Sequence, residues 1–261
     1  MPLQRVCLVH YHEIGLKGHN RKKFEQRLVG NLDSLLHGCP IRGIHRISGR
    51  ICIFIDQEAD YETACEIADR IAGVPGIARV SCGYRCEQDM DVVYETAVLA
   101  LRDAEPFATF KVSARRNHTD FEIDSMQLNQ LVGATLCRAF PDHGVKMKNP
   151  DVEVRVEMIE NYCYIYARSI QGVGGLPVGT SGKVVSLLSS GIDSPVALWR
   201  IARRGAVAIG VHFSGRPETV DTSEYLVDDI AHVLEKTGTI AKVYIAPIGE
   251  YQRCLLYTSP S

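Results

Sequence analysis

A segment rich in small and polar side chains, SSGIDS (189–194), directly follows the apolar run KVVSLL (183–188). A helix-like pattern, SPVALWRIARRG (194–205), begins at once. A strand that ends at a helix start places unpaired backbone N–H groups, the positive end of a helix dipole and three hydroxyl donors around one point. These are the groups that bind phosphate at helix N-termini. The alternative is an ordinary turn in which Asp193 and Ser194 cap the helix.

Asp193 is the unexpected residue in this segment, because a carboxylate and a phosphate repel each other. A magnesium ion would remove the conflict, since Mg²⁺ commonly bridges a carboxylate and substrate phosphates. We therefore expect Asp193 to contact Mg²⁺ through the phosphates. A Walker A loop is excluded, because Pro177 stands where its first glycine is needed and Val184 follows Lys183. A dinucleotide fingerprint that begins at Gly172 fails at the same proline.

The elements around this loop are predicted to form a parallel β-α-β-α-β unit. Its second strand, AVAIGVHF (206–213), is apolar almost throughout, as expected for the middle of a parallel sheet. A helix is predicted over 222–238 and a third strand over 240–248. Ligands of such sheets bind at the carboxyl ends of the strands.

The first part of the chain has a different pattern. Strands and helices in the order β-α-β-β-α-β are predicted over 5–87, which is the ferredoxin-like plan. The helix that begins after Asn20 is expected to use this residue as its N-cap. A second unit follows, with two helices, one strand and a hairpin that turns at Glu160-Asn161. A glycine-rich segment (171–182) then leads into KVVSLL.

Charge is unevenly distributed along the chain. The net charge is −2, but the first fifty residues contain nine Lys and Arg against three acidic residues. Such a local basic excess is typical of contact with phosphate groups. A solvated helix face is the alternative. A second basic group, at Lys111, Arg115 and Arg116, lies in and after a predicted strand.

Cysteine usage and hydropathy indicate the compartment. The nine cysteines are scattered singly, which is typical of reduced thiols in a cytoplasmic protein. The spacing of Cys82 and Cys86 is a weak metal signal that no second pair completes. No apolar run reaches the roughly 18–20 residues of a membrane span, so no membrane partner is expected.

Three stretches resemble known families. LLSSGIDSPVA (187–197) resembles the PP-loop of N-type ATP pyrophosphatases, Ser-Gly-Gly-x-Asp-Ser, with Ser190 in place of the first glycine. EIGLKGHNRKKFEQRL (13–28) and the glycine-rich segment resemble the tRNA 4-thiouridine synthetases, the ThiI-type tRNA uracil 4-sulfurtransferases. The three segments agree in order, and the resemblance covers about residues 1–250.

This resemblance implies an α+β N-terminal half followed by an α/β parallel-sheet domain. The expected domains are a ferredoxin-like domain (1–58), a THUMP RNA-binding domain (59–170), a linker (171–182) and a PP-loop ATP pyrophosphatase domain (183–261). The last eight residues, CLLYTSPS, do not resemble the family. We therefore expect the PP-loop domain to be truncated and the isolated protein not to thiolate tRNA.

The resemblance also implies site residues, with Asp193 as the catalytic residue. The expected ATP-binding residues are Leu187, Leu188, Ser189, Ser190, Gly191, Ile192, Asp193, Ser194, His212 and Phe213. A structural role for His212 and a core position for Phe213 are the alternatives. The residues expected to contact tRNA are Lys17, Arg21, Lys22, Lys23, Lys111, Arg115 and Arg116.

The implied reaction has two steps. ATP adenylates the carbonyl oxygen of the uracil at position 8 of tRNA, and a persulfide sulfur then displaces AMP to leave 4-thiouridine. A cysteine desulfurase would supply the sulfur, and Cys254 does not match the sulfur-carrying cysteine of the family. The family also implies thiazole synthesis for thiamine and a homodimer.

Two other functions stay open at this point. A THUMP-bearing tRNA methyltransferase would need a glycine-rich loop for its methyl donor after the first strand of its catalytic domain, and SSGIDS lacks that shape. A tRNA-binding module without catalytic competence is the second alternative.

Overall fold

A computed structural model describes residues 3–117, 121–217 and 222–258. The chain forms two compact units, one from residues 1–10, 38–72 and 78–171, and the other from 11–37, 73–77 and 172–261. The strands are β1 Gln4–His10, β2 Ile41–Ile47, β3 Arg50–Ile55, β4 Arg79–Glu87, β5 Thr109–Arg116, β6 Gly144–Val145, β7 Val152–Ile159, β8 Tyr162–Gln171, β9 Lys183–Leu187, β10 Val207–Ser214 and β11 Ile240–Pro247. The helices are α1 Arg21–Leu35, α2 Tyr61–Ala72, α3 Met90–Arg102, α4 Ser125–Ala139, α5 Asp193–Ala202, α6 Ser223–Glu235 and α7 Gly249–Thr258, with a 3-10 helix at Glu13–Asn20.

The first unit is built on an eight-stranded sheet with the order β2-β3-β1-β4-β8-β7-β5-β6. Pairing is antiparallel from β2 to β7 and parallel between β7, β5 and β6. One face carries the core that α3 and α4 complete, with buried residues such as Val93, Leu128 and Ile165. Because side chains alternate along a strand, Tyr164 and Tyr166 point to the opposite face, where their cluster contains no helix residue.

The predicted β-α-β-β-α-β order and the later hairpin are confirmed. β7 and β8 pair in an antiparallel hairpin, and Glu160 at its tip has φ +53°. Asp124 caps α4, since its side chain accepts from the amides of Met126 and Gln127.

Asn20 stands at the N-cap position of α1, but the side-chain cap that was predicted for it is not formed. Asn20 ends the 3-10 helix with φ −81° and ψ −8°, and its side chain forms no cap hydrogen bond. The backbone is helical on both sides of Asn20. Its side chain therefore takes a different position from that of an N-cap residue with extended backbone. The helix α7 is a further element to which the sequence analysis assigned no structure.

The second unit contains the predicted parallel sheet, in the order β11-β10-β9. Its core includes Leu188 of the sheet, Leu198 of α5 and Val227 of α6, so both helices pack on one face. Leu187 and Tyr244 point to the other face and are 63% and 54% exposed.

The glycine-rich segment is bound tightly to the end of α5. The amide of Leu176 donates to the Arg203 carbonyl at 2.9 Å, and the amides of residues 179–181 converge on the Gly205 carbonyl. Gly175 has φ +84°, and a Cβ built there would lie 2.3 Å from the Arg203 carbonyl oxygen. The segment is therefore a structural strap that holds the end of α5.

Gly175→Ala is expected to destabilise the second unit by roughly 2–4 kcal/mol, because it combines backbone strain with overlap against fixed backbone. Gly182→Ala is the matched control. Gly182 has φ +83° but no atom within 4 Å of a built Cβ, so only the strain of about 1–2 kcal/mol is expected there. Urea unfolding of the two variants measures the difference, and equal losses would contradict the close approach at Gly175.

Among the described helices, none combines the length and the apolar character that crossing a bilayer requires.

Candidate functional site

The segment 189–194 lies at the carboxyl edge of the parallel sheet, as predicted. Leu187 is paired with Val211 of the neighbouring strand, and the amide of Leu188 donates to the Val211 carbonyl at 2.8 Å. His212 and Phe213 therefore end β10 beside the start of the loop. The residues predicted to bind ATP from β9 and from β10 come together at one edge.

Two serine side chains close the loop. Ser194 Oγ accepts from the Ser189 amide at 2.9 Å, and it lies 3.2 Å from the Ser189 carbonyl oxygen, to which it donates. Ser189 Oγ accepts from the Gly191 amide at 3.3 Å. These bonds hold the loop in a tight turn whose remaining groups, including Ser190 and Asp193, are exposed.

The start of α5 is not capped by a side chain. The helix begins at Asp193, and Ile192 at the N-cap position forms no side-chain cap bond. The interpretation of Asp193 and Ser194 as N-caps is therefore wrong, because Ser194 is used within the loop and Asp193 is the first helical residue. Backbone N–H groups of an uncapped first turn are open to an acceptor, and an anion is one that suits them.

His212 has a structural position at this edge. Its side chain is buried, with Nδ1 2.9 Å from the Leu188 carbonyl oxygen and Nε2 2.9 Å from Ser223 Oγ. A carbonyl only accepts, so Nδ1 carries a proton and, in the neutral ring, Nε2 accepts from the serine hydroxyl. The ring thus fixes the end of β9 to the start of α6. Phe213, by contrast, is 50% exposed and is not a core residue.

A second polar cluster at the end of β10 was missed by the sequence analysis. Ser214 donates a hydrogen bond to Glu224, and Arg216 Nη2 lies 3.0 Å from Glu224 Oε2. The Ile248 amide donates to the Ser214 carbonyl at 2.8 Å, so the end of β11 supports this turn. The sequence signal that could have revealed this cluster is the polar end of a strand that is otherwise apolar.

The basic segment 17–23 belongs to the same compact unit as the loop. Arg204 Nη1 lies 3.0 Å from both carboxylate oxygens of Glu13, and Asn31 Nδ2 donates to the Val178 carbonyl at 3.1 Å. These contacts join the 3-10 helix and α1 to the end of α5 and to the strap.

The four basic residues of this segment have different environments. Arg21 is committed to an internal network, with Nε donating to Glu25 at 2.7 Å and Nη2 donating to the Tyr11 hydroxyl at 2.9 Å. Burial and the hydrogen bond to Glu25 raise the pKa of Tyr11 to about 12. Lys17 lies over the Phe24 ring at 5.3 Å. Exposed ammonium groups are offered by Lys22 and Lys23.

The second basic group lies in the first unit. Lys111 Nζ is 3.2 Å from Glu153 Oε1, and Arg116 Nη1 donates to the Phe121 carbonyl at 2.6 Å. Arg115 is exposed. His118, which follows Arg116 and Asn117 in the sequence, lies outside the described residues.

The cysteines form no metal site in the part of the chain that the structure describes, where no group of three or more potential ligands was found. Cys82 lies 3.8 Å from Cys65, whereas Cys86 is paired with Cys163, so the two predicted ligands do not converge. Six cysteines are buried and Cys39 is half-buried.

Alkylation tests this distribution. Burial raises the pKa of Cys52 to about 12, so almost no thiolate forms there at neutral pH. Iodoacetamide is therefore expected to label the two exposed cysteines, Cys137 and Cys254, well before Cys52. Peptide mass spectrometry reads the order, and early labelling of Cys52 would contradict the packing of the first unit.

Comparison with protein families gives three successive matches. Residues 6–81 match the ThiI ferredoxin-like domain, residues 87–168 the THUMP domain, and residues 179–259 the family described as thiamine biosynthesis protein (ThiI).

Individual relatives agree with these matches. The chain is 39% identical over 243 residues to a probable tRNA sulfurtransferase of Natranaerobius thermophilus, covering 91% of this chain and 58% of that protein. It is 36% identical to a probable tRNA sulfurtransferase of Brevibacillus brevis, covering 98% and 63% of the two chains. The chain thus spans about three-fifths of the length of these relatives.

A solved structure shows the same fold. A 4-thiouridine synthetase–RNA complex with bound ATP matches with a TM-score of 0.85 and 32% identity, over 98% of this chain and 65% of that one. The ferredoxin-like and THUMP units followed by a parallel-sheet unit, as predicted, occur here in the same order. By its three domain matches, its relatives and its fold, the chain belongs to the ThiI family.

Proposed function

We propose that this protein acts in the ATP-dependent conversion of uridine 8 of tRNA to 4-thiouridine. The observation that carries the proposal is the serine-closed loop 189–194, which presents an uncapped helix start at the carboxyl edge of a parallel sheet. The names of the relatives and of the RNA- and ATP-bound structural neighbour support it.

In this proposal the loop binds the phosphates of ATP. Amides of the first turn of α5 and the hydroxyls of Ser189, Ser190 and Ser194 would donate to phosphate oxygens. The exposed ring of Phe213 would stack on adenine. Leu187, which ends β9, and Leu188, which follows it, would line the nucleotide beside His212.

Asp193 fits a magnesium ion. Its carboxylate is exposed at the helix start, and hard oxygen ligands of this type suit Mg²⁺. When bound, the ion would neutralise charge between the carboxylate and the phosphates. Asp193 is the only residue that we assign to it.

The proposed chemistry is adenylation of the uracil followed by sulfur transfer. The uracil O4 attacks the α-phosphorus of ATP, the N3 proton is lost, and pyrophosphate leaves. The amides and hydroxyls of the loop stabilise the charge that develops on the departing pyrophosphate. The terminal sulfur of a persulfide would then form a bond to C4 while AMP leaves with O4. A second thiol would break the S–S bond by forming a disulfide with the sulfur-carrying thiol, which leaves 4-thiouridine.

The proposal also includes the source of the sulfur and the cellular location. A cysteine desulfurase would load the persulfide, and none of the nine cysteines of this chain is assigned to carry it. Sulfur transfer for thiazole synthesis, a homodimer and a cytoplasmic location are proposed with it. We also propose the predicted domain limits, which are 1–58, 59–170, 171–182 and 183–261.

For tRNA, we propose that the exposed Lys22, Lys23 and Arg115 make the strongest phosphate contacts. Arg21 and Lys111 are already paired with carboxylates, so their net contribution should be smaller. Lys17 and Arg116 would help to shape the same surfaces. Such contacts position tRNA and make binding depend on salt.

Lys22→Ala with Lys23→Ala is expected to weaken tRNA binding and to lower the slope of log K against log salt by about 1.5, since each phosphate contact contributes about 0.7–0.9. Lys236→Ala with Lys242→Ala removes two exposed charges elsewhere in the same unit and should leave the slope unchanged. Filter binding at several salt concentrations gives the slopes. Equal slopes for both double variants would show that Lys22 and Lys23 of α1 do not contact tRNA phosphates.

Pyrophosphate release tests the proposed function. We expect release from ATP that depends on tRNA and is lost when uridine 8 is replaced by cytidine. A tRNA-binding module without chemistry would bind both tRNAs and release none. A tRNA methyltransferase would require a methyl donor instead, and the ThiI match falls on the segment where its donor loop would have to lie.

A further inference from the structure

A buried carboxylate lies at the carboxyl edge of the parallel sheet, at the start of α6. The Glu224 side chain is only 11% exposed, and each of its two oxygens has a partner. Oε1 accepts from the hydroxyl of the fully buried Ser214, and Oε2 lies 3.0 Å from Arg216 Nη2. The Arg216 side chain, by contrast, is 52% exposed. The cluster therefore holds an arginine at the surface from a buried anchor.

The backbone of Arg216 is fixed as well. Its amide donates to Ser214 Oγ at 3.3 Å, and its carbonyl accepts from the Gly249 amide at 3.1 Å. A Cβ built at Gly249 would lie 2.2 Å from the Gly215 carbonyl oxygen, so the start of α7 packs directly against this turn. A side chain that is held in this way loses little further freedom when it binds a ligand.

This cluster lies close to the serine-closed loop. His212 contacts the Leu188 carbonyl oxygen through Nδ1 and Ser223 Oγ through Nε2, each at 2.9 Å. Leu188 directly precedes the loop, and Ser223 directly precedes Glu224. One imidazole ring therefore separates the backbone that leads into the loop from the helix start that anchors Arg216.

Cations are scarce at this edge of the sheet. The loop SSGIDS contains none, and within 183–217 and 222–258 only Arg216 and Arg253 follow the carboxyl end of a strand. Arg216 follows β10, which pairs with β9, whereas Arg253 lies in α7 after β11, on the far side of β10 from β9. The other basic residues lie in the amino-terminal parts of strands or near the carboxyl ends of helices: Lys183, Arg200, Arg203, Arg204, Lys236 and Lys242.

A triphosphate at the loop would suit this arginine. One Mg²⁺ neutralises only part of the charge of a triphosphate, and the loop itself offers neutral amides and hydroxyls. A guanidinium has five N–H donors and binds phosphate oxygens through two of them in a planar fork. It can therefore pair with Glu224 and with a phosphate at the same time.

We propose that Arg216 binds a phosphate group of the nucleotide at the serine-closed loop, and that Ser214 and Glu224 position its guanidinium. The inference rests on the proposed function for its nucleotide and adds a phosphate-binding residue to that site. Glu224 is a positioning residue, because it acts through Arg216.

Isothermal titration of the full chain with MgATP and with adenosine, which has no phosphate, tests the proposal. Arg216→Gln is expected to weaken MgATP binding about tenfold and to leave adenosine binding unchanged. Lys242→Gln, which removes an exposed charge from β11, is the matched control and should change neither. Unchanged MgATP affinity in Arg216→Gln would overturn the proposal. Equal losses for MgATP and adenosine would also overturn it, because they would show an effect on the fold of the site.

Glu224→Asp tests the positioning. It keeps the charge but withdraws the carboxylate by one methylene group, so MgATP affinity should fall about threefold while adenosine affinity stays unchanged. The double variant with Arg216→Gln should bind MgATP as weakly as Arg216→Gln alone, since Glu224 acts through the arginine. Losses that add in the double variant would contradict the positioning role.

Three outcomes separate the phosphate contact from its alternatives. Weaker tRNA binding by Arg216→Gln, with unchanged MgATP affinity, would assign the guanidinium to an RNA phosphate, against this proposal. Weaker MgATP binding by the variant, with no tRNA-dependent pyrophosphate release by the wild type, would refute the proposed function and leave the contact standing. Release by the wild type, with unchanged MgATP affinity in the variant, would overturn the contact alone.

Discussion

Asp193→Ala is expected to weaken the binding of ATP by roughly 10–100-fold when magnesium is present, the range expected for loss of a charged contact. The carboxylate lies at the start of α5, beside the amides and hydroxyls that would hold the phosphates. With magnesium, its removal takes away a ligand of the ion that joins protein and nucleotide. Isothermal titration of the purified chain with ATP measures the change.

The sign of this effect should reverse without the metal. In EDTA, Asp193 only repels the triphosphate, so the variant is expected to bind ATP as tightly as the wild type or more tightly. Asp229→Ala, an exposed carboxylate of α6, is the matched control and should have no effect in either buffer. A loss of affinity that is the same with and without magnesium would show that Asp193 acts through the fold of the loop.

Glu157→Ala is expected to have the largest effect on stability, about 3–5 kcal/mol, because it leaves a buried charge without its partner. Glu157 accepts from both Arg50 and Tyr166, and all three side chains are more than nine-tenths buried. Burial and the neighbouring Glu157 carboxylate raise the pKa of Tyr166. Chemical denaturation of the purified protein measures the loss.

Glu153→Ala provides the control for that prediction. Glu153 lies on the same strand and pairs with Lys111 and Arg155, but its side chain is 26% exposed. Water can replace its partners, so a cost of about 1 kcal/mol or less is expected. The double variant Glu157→Leu with Arg50→Met should recover much of the lost stability. Equal costs for Glu153→Ala and Glu157→Ala would contradict the buried ion pair.

Local pattern was sufficient to predict much of the fold. Alternation of apolar and polar residues in 151–170 defined the hairpin, and the apolar run at 206–213 defined the central parallel strand. The loop 189–194 was placed correctly, since a strand end and a helix start adjoin in sequence. Each of these features depends on residues close to one another in the chain.

Contacts between distant residues were not predictable in this way. Arg50 and Glu157 are 107 residues apart, and Glu13 and Arg204 are 191 apart. Helix α1 stands between two strands of the first unit in sequence but belongs to the compact unit of the parallel sheet. The sequence pattern showed an amphipathic helix, with Leu28 and Leu32 on its buried face, but not which surface this face would meet.

The same distinction applies within the candidate site. Ser189 and Ser194 were predicted to bind phosphate, but the hydrogen bonds by which they close the loop depend on its three-dimensional path. The cluster at Ser214, Arg216 and Glu224 went unnoticed because its members are separated by a loop.

Thermal unfolding with ATP tests the central claim, that loop 189–194 is a magnesium-dependent ATP site, most directly. With MgATP at about 100 times Kd, binding should stabilise the chain by about 2.7 kcal/mol and raise Tm by roughly 5–10 °C. ATP with EDTA should give a much smaller shift, and tRNA alone should not reproduce the response to MgATP. An unchanged Tm across saturating MgATP concentrations, in a protein that still binds tRNA, would contradict the assignment of the loop as a nucleotide site.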